Sequence, residues 1–185
     1  MYRVLIGVWF VASLTLSLAG KFRDIPPAGL LLPGLIVTSL VYLVLFSVSR
    51  GFRQFATALS LRWVTLLEAG RIIGGTYILF DPKLPGLFAL PTGISDVIIG
   101  VSAPFAAKYL LTRDGQPKPG FFLWHAVGLF WIGVSVVTGS ISGAPAISAF
   151  PLSLIPTFLG PMVILCHLVA LSRPKHSAAY AALPR

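Results

Sequence analysis

Six apolar runs follow one another along this chain, at 4–19, 28–48, 57–80, 87–107, 121–138 and 150–171, and no connection between them exceeds 13 residues. About 20 apolar residues is the length an α-helix needs to cross the roughly 30 Å hydrocarbon core of a bilayer. Within that core only elements that satisfy their own backbone hydrogen bonds persist. The runs therefore predict an all-α integral membrane bundle of six transmembrane helices. Composition agrees: 56% of the residues are hydrophobic and 10% charged, against about 25% charged in a soluble domain. Residues 1–172 are read as one polytopic domain and 173–185 as a basic cytoplasmic tail.

The first run, VLIGVWFVASLTLSLA, follows Arg3 and ends at Ser17-Leu18-Ala19 before Gly20, a pattern that also fits signal cleavage. A retained first helix is preferred, because a polytopic protein can use its first helix as the insertion signal; a new terminus at Gly20 by intact mass would leave five spans. Between the others lie GKFRDIPP, the short basic turn SRGFRQF, DPKLPG, and the hydrophilic KYLLTRDGQPKPG. The uncharged 139–149 stretch reads as a loop or a re-entrant segment. Leu32-Pro33-Gly34-Leu35 recurs as Leu84-Pro85-Gly86-Leu87, a repeat too short to carry an internal duplication.

With the N-terminus cytoplasmic, nine basic residues fall inside and three, Lys21, Arg23 and Lys83, outside. By the positive-inside rule that asymmetry predicts both termini in the cytoplasm. The net charge of +9 thus orients the chain and contacts anionic headgroups, and a nucleic-acid partner is excluded. Cys166 is the only cysteine, which rules out an intramolecular disulfide framework.

The third run carries Arg62, Glu68 and Arg71. Ionisable groups at membrane depth cost about 2.5–3.5 kcal/mol each on insertion scales and are candidate functional groups. Counted from the outer ends of the third and fourth spans, Arg71 and Asp96 both lie ~13–14 Å deep at 1.5 Å per residue. The spans are antiparallel neighbours, so an ion pair is expected, with Glu68 one turn below Arg71 on the same face. Thr92, Asp96, Gly100 and Ala103 share a stripe, as do Glu68, Arg71 and Gly75 with Thr65 at the margin; Gly70 and Gly74 offer a further close-packing edge. Two acids with one arginine leave an excess negative charge suited to a proton or cation. A buried cluster that merely sets helix order is the competing account.

His125 and His167 lie ~6 Å from the inner boundary on the fifth and sixth spans. Facing imidazoles could hold a haem or relay protons; two unrelated interfacial histidines are the simpler account. Arg62 with Trp63 reads as a lipid anchor at the headgroups. Pro33, Pro91 and Pro156 fall near outer helix ends, whereas Pro104 and Pro161 are deep enough to free carbonyls that neighbours must satisfy.

Hydrolase, zinc-protease, phosphate-loop and dinucleotide signatures are absent from the sequence. The expected function is binding or translocation of a small solute, ion or proton at Glu68, Arg71, Asp96 and Thr92. Its alternatives are a haem- or quinone-associated redox protein using His125 and His167, or a membrane scaffold. The expected setting is a bacterial plasma membrane, with assembly as a homo-oligomer.

Overall fold

The computed structural model describes residues 2–173; most of the basic tail therefore lies outside the described residues. The protein is all-α. Helices α1 (Tyr2–Leu18), α2 (Pro27–Val48), α3 (Arg50–Ala58), α4 (Leu61–Leu67), α5 (Arg71–Phe80), α6 (Gly86–Tyr109), α7 (Pro119–Ile141) and α8 (Gly160–Leu171) follow in order. Of these α2, α6 and α7 are long and apolar enough to cross a membrane, and Val4–Leu18 and Ile155–Leu171 are shorter apolar helices. Large apolar side chains cover the outside: Val8, Leu43, Ile98 and Phe130 are all at least 53% exposed, an arrangement suited to lipid rather than water. The chain is an integral membrane protein by this length and composition.

The 57–80 run is not one continuous helix. Leu59 and Ser60 are extended and separate α3 from α4. A 3-10 turn at Glu68–Gly70 then joins α4 to α5. Arg173, assigned to the tail from sequence, donates to the carbonyls of Thr57, in the last turn of α3, and of Leu59, in the break, so carbonyls that the helix end leaves without an intrahelical donor find a partner. The basic turn expected at 49–55 is instead α3, capped by Ser49, whose hydroxyl accepts from the Phe52 amide at 3.2 Å. Arg50 and Arg53 face outward and Ala56 is buried, while Phe52 packs edge-on against Tyr42.

The sixth run is broken too. Residues 155–159 form a π-helical turn before α8. Pro161 has no N–H to offer the carbonyl four residues earlier, and that carbonyl, of Thr157, accepts instead from Trp9 Nε1 at 2.9 Å and Ser13 Oγ at 3.2 Å. With the Ser17–Ser153 hydroxyl pair, these bonds dock α1 onto the broken segment. The 139–149 stretch is the last turn of α7, a bend and a 3-10 turn at Pro145–Ser148. It closes the bundle, with Ile147 buried and Ser148 Oγ donating to the Ile25 carbonyl at 2.7 Å.

The apolar core has one part around Ile78, Phe88, Val136 and Ile164 and, toward the other end of the bundle, parts around Tyr42, Val64 and Val169 and around Leu61, Leu111 and Phe121. The buried Glu68, Arg71, His125 and His167 lie between them along the α4–α5 run, α7 and α8.

Candidate functional site

The 3-10 turn sets the geometry of the third run. In that winding, side chains three residues apart eclipse one another, and Glu68 and Arg71 are so spaced: Arg71 Nη1 lies 3.4 Å from Glu68 Oε2. Arg71 then turns its other edge to α6, where Nε and Nη2 donate to a single oxygen, Asp96 Oδ1, at 2.9 and 2.6 Å. Close approach of α5 and α6 makes this possible. A Cβ on Gly75 would stand 2.7 Å from Asp96 Cβ and 2.8 Å from the Gly93 carbonyl oxygen. Gly93 and Gly100 are equally tight against Leu79 and Ile72.

The two constellations that sequence reasoning kept apart form one network. His167 Nε2 sits 3.2 Å from Arg71 Nη1 and 3.5 Å from Glu68 Oε2. His167 Nδ1 meets His125 Nδ1 at 2.8 Å, and His125 Nε2 lies 3.3 Å from Thr65 Oγ1. Glu68, His125, His167 and Thr65 are at most 1% exposed and Arg71 is 7% exposed, so the hydrogen bonds cannot be traded for water. Gly128 supplies the space: a Cβ there would lie 2.3 Å from His167 Cε1. Phe121 and Trp124 wall the His125 ring at centroid distances of 4.5 and 4.8 Å.

Donor counting assigns the tautomers. The single Thr65 hydroxyl proton is committed to the Leu61 carbonyl at 2.8 Å, so Thr65 must accept from His125 Nε2–H. A neutral His125 then carries a bare Nδ1 that accepts from His167 Nδ1–H. His167 in turn presents a bare Nε2 to Arg71. Both imidazoles are satisfied as neutral rings, and the run of donors goes from Arg71 through His167, His125 and Thr65 to Leu61.

Those same contacts do not fit a haem held between the two histidines. The facing nitrogens are 2.8 Å apart, whereas two metal–imidazole bonds of about 2 Å on opposite sides of an ion need ~4 Å. Each remaining nitrogen is already engaged.

A cavity of about 630 Å³ opens beside the network, bounded by α2, α5, α6, α7 and the 151–166 segment. Glu68, Arg71, Thr92 and Asp96 reach its wall, and the rest of the lining is chiefly apolar, as with Leu35, Ile132 and Ile155. Two of these lining residues have a buried side-chain atom without a hydrogen-bond partner, Glu68 Oε1 and Thr92 Oγ1. Such groups are uncommon in folded proteins and each calls for an explanation. Gly70 and Gly74, expected to be a close-packing edge, face open space: a Cβ on either meets nothing within 4 Å, and both line this cavity.

Of the sequence-predicted residues, Glu68, Arg71, Asp96, His125 and His167 are brought into one network and Thr92 into the adjoining wall. Arg62 and Trp63 stand apart on the exposed side of α4, with Trp63 69% exposed. Thr65, placed from sequence at the margin of its stripe, is an integral member; its signal was its position three residues before Glu68. Gly128 was visible only as a small residue one turn from His125.

No curated protein and no solved structure matches the chain. A family model does, over residues 28–173, a stretch that covers well over half of the chain and every residue of the network but leaves out α1. On that match the chain belongs to the family described as Domain of unknown function (DUF8737).

Proposed function

We propose that this protein is a six-span membrane protein with both termini cytoplasmic, which binds or passes a small solute, ion or proton at Glu68, Arg71, Asp96 and Thr92. One observation carries the reading: Glu68 is 1% exposed, holds Arg71 through Oε2, and keeps Oε1 unpartnered in a chain that lines a cavity. A carboxylate serving only to order helices would be expected to spend both oxygens on protein donors, since each unpaired buried acceptor costs about 1–3 kcal/mol. The nine-to-three distribution of basic residues supports the orientation, and the bacterial plasma membrane remains the setting proposed.

Reconstitution tests it. Proteoliposomes holding a pH-sensitive dye and driven by a potassium diffusion potential should show proton or monovalent-cation flux above protein-free vesicles. Glu68→Gln, near-isosteric and still able to hydrogen-bond Arg71, should abolish that flux while leaving thermal unfolding nearly unchanged. Flux that survives Glu68→Gln refutes the assignment of the site.

A further inference from the structure

We propose that the ligand is a bilayer-dissolved apolar molecule carrying one protonated amine, admitted sideways between α5 and the 155–162 segment; this rests on the site assigned above. The cavity's outer wall is the first observation. Leu67, Ile73 and Leu159 line it and are yet 64%, 78% and 47% exposed on the outside of the bundle. Helix α5 packs along α6 and has no comparable interface with α8 or the π turn. A cavity that reaches the lipid-facing surface through apolar residues admits what the lipid dissolves.

The volume of about 630 Å³ is that of a site for a compact organic molecule, and its chiefly apolar walls suit an apolar body. The polar end dictates the head group. Arg71 already directs both edges at protein, to Asp96 on one side and to Glu68 and His167 on the other, so it presents no free fork to an anion. Two of the lining side chains keep a buried atom without a partner, Glu68 Oε1 and Thr92 Oγ1, and both can accept. With the imidazoles neutral and both carboxyl groups ionised, two carboxylates and one guanidinium leave the site one negative charge in excess. An ammonium head supplies three donors and cancels that charge; a hydroxyl supplies one donor and leaves the charge; a carboxylate adds to it.

Three probes with one apolar body separate these cases: 1-adamantylamine, 1-adamantanol and 1-adamantanecarboxylate, titrated calorimetrically into the full chain in nanodiscs with empty nanodiscs as blank. The amine should bind at least about tenfold more tightly than the alcohol, the margin of a charge-assisted hydrogen bond, and the carboxylate should not saturate. Glu68→Gln should weaken the amine by about tenfold or more and spare the alcohol. Gly74→Leu, which grows into open space, should weaken amine and alcohol together while the melting temperature holds. Carboxylate binding as tight as the amine's, amine binding unchanged in Glu68→Gln, or no saturable amine binding overturns the proposal. A mouth covered by a second copy or filled by co-purifying phospholipid gives that last result and counts against it. If the amine fails while Glu68-dependent ion flux persists, the ligand class falls and the site assignment stands; if Glu68→Gln alters neither, both fall.

Discussion

Gly74 and Gly75 are neighbours in one helix and do opposite things. At Gly75 the backbone of α6 is so close that a Cβ would lie 2.8 Å from the Gly93 oxygen, whereas at Gly74 the same atom would meet nothing within 4 Å. One face of α5 is thus a tight seam that holds the Arg71–Asp96 pair, and the other is the wall of an open cavity. The contrast extends to the partners. Helix α6 runs unbroken through Pro91 and Pro104, while the segment across the cavity is interrupted by a π turn at 155–159 and a proline-freed carbonyl served by α1. Identical residue types therefore serve closure on one side and access on the other, because the neighbouring backbone decides what a missing side chain is for.

The largest test of the seam is electrostatic. Arg71→Leu strands two buried carboxylates and should cost about 3–5 kcal/mol or more, the penalty of leaving a buried charge unpaired. Asp96→Asn should cost less, since Arg71 keeps Glu68 and His167. The double substitution should lose less than the sum of the two, as interacting residues do, but should not return to wild type, because Glu68 Oε2 and His167 Nε2 also lose their donor. Equilibrium unfolding of the four proteins in one detergent reads this out, and fully additive losses would mean that the pair does not stabilise the fold.

A steric test sharpens the same comparison at smaller scale. Gly75→Ala should destabilise by about 1–3 kcal/mol through overpacking. Gly74→Ala should instead gain about 0.5–1 kcal/mol, the usual preference of a helix interior for alanine. Similar effects of the two substitutions would erase the distinction between the faces. The smallest effect is expected across the cavity: Trp9→Phe removes one of two donors to the Thr157 carbonyl and should cost about 0.5–1.5 kcal/mol. No loss there would show that Ser13 alone satisfies the Thr157 carbonyl.

The sequence alone determined that the chain is helical and membrane-embedded, because apolar runs of bilayer length leave no other solvent and no other backbone solution. Counting residues from helix ends also put Arg71 level with Asp96, since helical rise converts position into depth. Rotation about each helix axis is not encoded in that count. Only the packed structure could turn Arg71 toward both Asp96 and His167, and so join the carboxylates to the histidines. Nor could periodicity foresee the 3-10 turn that eclipses Glu68 with Arg71, the extended break at Leu59–Ser60, or the side of α5 left uncovered. Each depends on how closely two backbones approach, and that distance is set by the fit of all the helices together rather than by any one of them.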